Sequence, residues 1–266
     1  MTKSRLKKRF GQHLLIEAAT INRIIELVAP APGMTILEIG PGQGAITIPM
    51  AETGATVYAV EFDRDMVKDL SRTLQRYDNA TVIERDILKF DPAVLPPGGM
   101  TIAGNLPYNI TSPIIEWIVS NRSLVDRAVL MMQREVAERL SAGPGGKDWA
   151  PISIFTQLHF KIDFQFKVSP SHFEPPPGVW SAVVTLEPVE PPAIKYYAAF
   201  DKLVRAAFIR RRKQIVNNLT AAFPVANAVC REILEECGLD VQIRAEQVTT
   251  GEFIKLTDLF VSRNLI

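Results

Sequence analysis

Several common functions are set aside by what this chain has little of. Among its 266 residues are only two cysteines, Cys230 and Cys237. With no histidine beside them they read as reduced thiols, which excludes a disulfide framework and a thiolate zinc site, and no metal is expected. No apolar run approaches the roughly 20 residues that a membrane-crossing helix needs. The basic start, Met1 to Arg9, leads into no signal-peptide core. A cytoplasmic protein without membrane contact is expected. Internal repeats and low-complexity segments are missing, and so is bulk charge. The net charge of +1 does not advertise a nucleic-acid partner. Apolar side chains are plentiful: at 47% hydrophobic content the chain can bury a full core, in one large or two unequal domains.

The pattern of those apolar residues gives the fold class. Runs at 35–40, 56–61, 81–84, 100–104 and 127–132 alternate with helical stretches at 17–29, 45–53, 64–76, 112–120 and 134–141. That alternation predicts α/β architecture with a mainly parallel, doubly wound sheet. Residues 152–160 read as a further helix. Ile162 to Val168 alternates with period two, and Ser181 to Leu186 follows a proline-rich turn, so these two are expected to close the sheet as an antiparallel hairpin. Pro188, Pro191 and Pro192 then mark a linker. Beyond it, 196–209, 213–222, 226–237 and 250–264 read as amphipathic helices. The predicted domains are therefore 1–189 and a small all-helical domain over 190–266.

The strand ends carry the chemistry. Thr35-Ile-Leu-Glu-Ile-Gly-Pro-Gly-Gln-Gly44 is a strand entering a glycine-rich turn, where Gly40 and Gly42 let backbone approach a ligand closely. Glu61 ends the next run about twenty residues on, where an acid can grip both ribose hydroxyls. Because Ala45 stands at the third position of the loose dinucleotide fingerprint, a nicotinamide or flavin enzyme fits this segment too. Asp86 ends Val82-Ile-Glu-Arg-Asp86, and Gly104-Asn-Leu-Pro-Tyr-Asn109 ends the fourth run. An exocyclic adenine amino group is a poor nucleophile, because its lone pair is delocalised into the ring. The Asn105 side-chain oxygen and the Leu106 carbonyl, held by the fixed φ of Pro107, can accept its two protons. Tyr108 offers an aromatic face to a flipped base. Taken alone, Asn-X-Pro-Tyr reads equally as a proline turn after a strand. Four such positions on successive strand ends are not expected by chance, and their order is that of S-adenosylmethionine-dependent amino-methyltransferases, in which Asp86 would receive the cofactor's adenine amino group.

Over nearly its whole length the chain resembles the small-subunit (16S) rRNA adenine N6-dimethyltransferases. Besides the motifs above, the likeness rests on Phe10-Gly-Gln-His-Leu-Leu15, Gln133 to Leu140, Phe173-Glu-Pro-Pro-Pro-Gly-Val-Trp-Ser181 and the basic stretch Phe208 to Leu219. The resemblance implies a class I methyltransferase (Rossmann-like) seven-stranded, mainly parallel sheet with S-adenosyl-L-methionine as cofactor. His13 and Leu15 take cofactor-contacting positions with Gly40, Glu61, Asp86 and Asn105. The commoner family form is Gly-Gln-Asn-Phe-Leu, from which His13 and Leu14 depart. Phe173, read alone as a packed loop residue, takes the role of holding the target base against Tyr108. The implied reaction is direct displacement at the sulfonium methyl by N6 of an extruded adenosine, with no side chain acting as a strong base. Two adjacent adenosines in the terminal hairpin of small-subunit rRNA are the implied target, within the immature small ribosomal subunit, during its biogenesis. The enzyme is expected to be a monomer.

Charge distribution agrees with an RNA partner where net charge does not. Lys3, Arg5, Lys7, Lys8 and Arg9 form one basic cluster; Arg205, Arg210, Arg211, Arg212 and Lys213 form another. Any single such run reads as a solvated face. Arg210 to Lys213 are expected to open a helix and touch phosphates. Ser141-Ala-Gly-Pro-Gly-Gly-Lys-Asp-Trp149 reads as a mobile loop with an exposed tryptophan. The family's usual Tyr-Gly-Arg-Leu-Ser is here Trp149-Ala-Pro-Ile-Ser153, so Lys147 is the loop's basic contributor. Three rivals stay open: a large-subunit rRNA methyltransferase of the macrolide-resistance type, typically with Asn-Ile-Pro-Tyr; a nicotinamide-dependent oxidoreductase, which leaves Asn105 to Tyr108 unexplained; and an assembly factor that binds immature small subunits with catalysis secondary.

Overall fold

The structure, a computed structural model, describes residues 13–266; the first basic cluster and Phe10 to Gln12 lie outside the described residues. In chain order the elements are β1 (Leu14–Leu15), α1 (Ala18–Val28), β2 (Thr35–Ile39), α2 (Thr47–Glu52), β3 (Thr56–Glu61), α3 (Arg64–Leu74), β4 (Ala80–Glu84), β5 (Met100–Asn105), α4 (Thr111–Ser120), β6 (Val125–Gln133), α5 (Arg134–Leu140) and α6 (Pro151–Gln157). Then come β7 (Phe160–Val168), β8 (Phe173–Glu174), β9 (Ser181–Pro188), α7 (Tyr197–Ala207), α8 (Ile215–Ala222), α9 (Asn227–Glu236) and α10 (Thr250–Ser262). The chain divides into two compact units, one of residues up to 138 with 159–189, the other of 139–158 with 190–266.

The first unit is built on a seven-stranded sheet in the order β4-β3-β2-β5-β6-β9-β7. Its first five strands run parallel, and β9 enters antiparallel between β6 and β7. The expected hairpin partners do pair with each other, and β9 also closes onto β6. Four of the five β2 residues are buried, as in a strand covered on both faces. The helices turn one stripe inward: α1 buries Thr20, Ile24 and Val28, and α3 buries Met66, Leu70 and Leu74, each set at a spacing of four. Asp63 caps α3 by accepting from the Asp65 amide. From β2 the chain proceeds outward through β3 and β4 to one side, and from β5 it starts again through β6 to the other. The carboxyl ends of β2 and β5 therefore flank a topological switch point, the crevice where open α/β sheets bind ligands.

The second unit is helical, with Phe200, Leu203, Ile215, Leu219, Ile233, Phe253 and Phe260 at its centre. Its main segment begins at residue 190, and the expected division of the chain needs one correction. Residues 139–158 pack with the tail, because Trp149, Ile154 and Leu158 join that apolar core. Trp149 is buried, not exposed, and its indole N–H donates to the Val248 carbonyl at 2.9 Å. The loop read as mobile is tied down as well: the Gly145 amide donates to the Glu246 carbonyl at 2.7 Å, and Arg211 donates to the Lys147 carbonyl. A second correction concerns the basic segment. Arg210 to Lys213 form the turn between α7 and α8 and do not open a helix; α8 starts at Ile215.

Candidate active site

A cavity of about 680 Å³ opens at the carboxyl ends of β2, β3, β4 and β5, within the size range of a small-molecule site. Every residue expected to hold the cofactor lines it: His13, Leu15, Gly40, Gly42, Glu61, Asp86 and Asn105, and Leu106, Pro107 and Tyr108 line it too. The glycines are there for close approach. Gly42 adopts φ +56°, and a Cβ on it would meet the Leu14 side chain at 2.8 Å.

Glu61 shows why an acid ends β3. Its Oε1 accepts from the Phe62 and Asp63 amides at 2.8 and 2.9 Å, and its Oε2 from the Gly42 amide at 3.4 Å. Three amides thus fix a carboxylate that is only 9% exposed. Burial pushes its pKa up, against the pull of those amides. Behind it, Glu38 of β2 also lines the cavity. Full burial raises its pKa to about 8, with the negative charge of Glu61 adding to the effect, so at neutral pH this carboxyl is largely protonated. Asp86 uses one oxygen to cap the turn that follows it, accepting from the Leu88 amide at 3.1 Å, and lines the cavity.

The acceptor group is held from three directions. Asn105 Nδ2 donates to the His13 carbonyl at 2.9 Å, which fixes the amide plane, while Asn105 Oδ1 is buried with no hydrogen-bond partner among the described residues. An unpaired buried acceptor costs on the order of 1–3 kcal/mol, which a ligand N–H at this point would relieve. Leu106 is buried, and its amide donates to the Met131 carbonyl at 2.8 Å; the Pro107 carbonyl accepts from Ile110 and Thr111. The Tyr108 hydroxyl lies 2.5 Å from Ser181 Oγ. One ring face meets His13, at 5.6 Å between centroids and 30° between planes, and His13 Nδ1 lies 2.7 Å from the Pro175 carbonyl.

Phe173 is the expectation that does not fit. It pairs with Leu15 across β1 and β8, is 2% exposed, and packs in the core with Leu15, Val168 and Val183. Strand pairing turns its ring inward, so it offers no face to a base, and the ring found against Tyr108 is that of His13. Four contributors escaped the sequence reading. Phe62 and Leu88, 61% and 37% exposed, put an aromatic and an aliphatic face on the cavity wall; the signal was an aromatic directly after a strand-end acid. Ser181 braces Tyr108. Gly104 lies so close to β2 that a Cβ there would meet the Ile39 carbonyl at 2.5 Å, a role that a glycine inside a strand can announce.

The residues fit S-adenosylmethionine: two acids for ribose hydroxyls and an amino group, apolar faces for a purine, and a glycine turn around an apolar-walled cavity. Among the described residues, no group of three His, Cys, Asp or Glu side chains is placed to hold a metal ion, and no helix is long and apolar enough to cross a membrane. The basic residues Arg210, Arg211, Arg212 and Lys213 are exposed on the helical unit, as is Lys147.

The family described as ribosomal RNA adenine dimethylase matches residues 3–261. The chain is 40% identical over 258 residues to ribosomal RNA small subunit methyltransferase A of Pseudomonas fluorescens, covering 96% of this chain and 93% of that one. It is 37% identical over 257 residues to the protein of the same name from Xylella fastidiosa, covering 95% of each. Among solved structures, a dimethyladenosine transferase from Plasmodium falciparum superposes with a TM-score of 0.79 at 28% identity, over 95% of this chain and 99% of that one. The 23S rRNA methyltransferase ErmE superposes with a TM-score of 0.71 at 26% identity, over 92% and 98%.

Proposed function

Given that the chain belongs to the ribosomal RNA adenine dimethylase family, we propose that it dimethylates N6 of two adjacent adenosines in the terminal hairpin loop of small-subunit (16S) rRNA. It would act as a monomer in the cytoplasm, on the immature small ribosomal subunit, as part of that subunit's biogenesis. The enzyme is an S-adenosylmethionine-dependent methyltransferase, and when bound that cofactor supplies the sulfonium methyl group. The observation that carries the reading to an amino group of a base is the buried Asn105 Oδ1, without a partner among the described residues, beside the Leu106 backbone.

Each residue then has a stated task. Glu61 binds the ribose hydroxyls with the lone pairs its three amides leave, and Asp86 takes the cofactor's adenine amino group. Phe62 and Leu88 cover the purine faces. Asn105 Oδ1 and the Leu106 carbonyl accept the two N6 protons of the target. In doing so they hold the nitrogen pyramidal, with its lone pair turned out of the ring. Tyr108, immobilised by Ser181 and His13, offers its remaining face to the extruded base. The nitrogen becomes acidic only as it gains positive charge, so no strong base is required; positioning and exclusion of water carry the rate. The helical unit, with Arg210 to Lys213 and Lys147, supplies phosphate contacts.

Small-subunit specificity is favoured over large-subunit by the identity of 40% to proteins named for the small subunit, against 26% to ErmE. Methyl transfer to purified immature small and large subunits tests it. Label in dimethyladenosine of the small subunit alone is expected; label in the large subunit would overturn the assignment.

A further inference from the structure

The chain's three tryptophans are placed in two ways. Trp117 and Trp149 are buried, and each indole N–H donates to a backbone carbonyl, of Phe90 and of Val248. Trp180 is 47% exposed, and its N–H meets no partner among the described residues. Next to it Val179 is exposed to the same degree. An isolated exposed apolar side chain is ordinary. The position of this pair is not. Both stand on the 174–181 turn, which frames Tyr108 at two points: Ser181 Oγ lies 2.5 Å from its hydroxyl, and the Pro175 carbonyl lies 2.7 Å from the His13 ring nitrogen while that ring covers one Tyr108 face. The Trp180 carbonyl is itself fixed, accepting from the Arg134 amide at 2.9 Å. Arg134, which follows β6 and pairs with Glu138 at 3.5 Å, and Lys167, near the end of β7, flank the turn, and both are exposed.

We propose that Trp180, with Val179, is a stacking platform for the unpaired nucleobase next to the extruded adenosine in the same RNA strand. The inference rests on the reading of the cavity as a base-methylating site. Extruding one base strips its neighbour of a stacking partner, at a cost of a few kcal/mol. An indole face restores that contact with any base, because every base has a π face. When the target is one of two adjacent adenosines, the platform also holds the second while the first is in the pocket. With Phe173 buried in the core, Trp180 is the aromatic side chain of this turn that solvent can reach.

The test compares Trp180→Leu, which keeps a large apolar side chain without a π face, and Trp180→Phe with the parent, using immature small subunits as substrate and a hairpin RNA with two adjacent loop adenosines as ligand. Because the other indoles are buried, RNA should quench the emission of the exposed one. Trp180→Leu is expected to raise KM about tenfold, the loss of one base stack, with little of the loss in kcat, and to abolish the quench. Trp180→Phe should regain most of the affinity. A parent-like KM in Trp180→Leu, or a quench that survives in it, would overturn the platform while leaving the methyltransferase reading intact. No methyl transfer by the parent on this substrate would overturn both.

Discussion

The two compact units use charge in opposite ways. In the α/β unit the decisive polar groups are buried: Glu38 is 1% exposed and Glu61 9%, and Asn105 Oδ1 is sealed from solvent without a partner among the described residues. In the helical unit Arg210, Arg211, Arg212 and Lys213 are all exposed, around an interior of phenylalanine and aliphatic side chains. Burial makes each polar group costly to leave unpaired and therefore selective for one geometry. Exposure makes each cation weak, screened and tolerant of position. On the proposed function, the first unit would define the reacting atom and the second would attract the RNA polyanion.

The largest effect is expected where a buried acceptor is removed. Asn105→Ala deletes Oδ1 and also the Nδ2 bond to the His13 carbonyl. By analogy with the loss of one oxyanion-hole donor, which costs about 10²–10³ in kcat, a similar loss is expected here. Single-turnover methyl transfer should fall by that order while cofactor affinity, measured by calorimetry, stays within a few-fold. Near-parent turnover would mean that the amino group is held elsewhere. Glu61→Ala comes next and acts on the other ligand. It removes a charged acceptor worth roughly 1.5–3 kcal/mol per bond, so cofactor affinity should drop by about 10- to 100-fold; an unchanged calorimetric affinity would release Glu61 from the ribose.

Glu38 sharpens the comparison through pH. Its folded pKa of about 8 lies above the ordinary 4.5, so the folded state prefers the protonated acid. The stability that this group contributes is complete below about pH 4.5 and is lost as pH rises through about 8, at no more than about 1.4 kcal/mol per pH unit. Glu61, shifted in the same direction, adds to the slope. Denaturant melts of the parent between pH 5 and pH 8 should show falling stability, and Glu38→Gln should flatten the fall. A parent whose stability rises across that window would contradict the buried, protonated state.

Much of this was legible before the fold. Strand-end positions are tied to their strands, so Gly40, Glu61, Asp86 and Asn105 could be placed from apolar period and order alone, and all four meet at one cavity. What failed depended on side chains that distant segments decide. Phe173 read as a base-facing ring, but the pairing of β8 with β1, two strands of two residues each, turns it inward. No local pattern announces such a pairing across about 160 residues, since Leu15 and Phe173 each carry one ladder contact. Trp149 followed three glycines and read as exposed, yet a helical core formed largely after residue 190 claims it. The Arg210 to Lys213 run is expected to open a helix, whereas the backbone turns there before α8.

The smallest effect belongs to that turn, and the structure changes which residues should be tested. Arg211 donates to the Lys147 carbonyl and so helps to hold the 141–149 loop; replacing it would mix a lost phosphate contact with a loosened loop. Arg212 and Lys213 are exposed, with no side-chain partner among the described residues. Phosphate contacts position RNA without reading its sequence, and each one lost should flatten the log–log dependence of binding on salt by roughly 0.7 to 0.9. The double variant Arg212→Gln with Lys213→Gln is therefore expected to weaken RNA binding at low salt and to lower the slope by about one to two, with melting temperature and cofactor affinity unchanged. Arg211→Gln should differ from it by losing melting temperature as well, because a structural bond goes with the charge. If the double variant kept the parent salt slope, these cations would only solvate the turn, and the contrast between a unit that defines the reacting atom and a unit that gathers RNA would have to be redrawn with the phosphate contacts placed elsewhere.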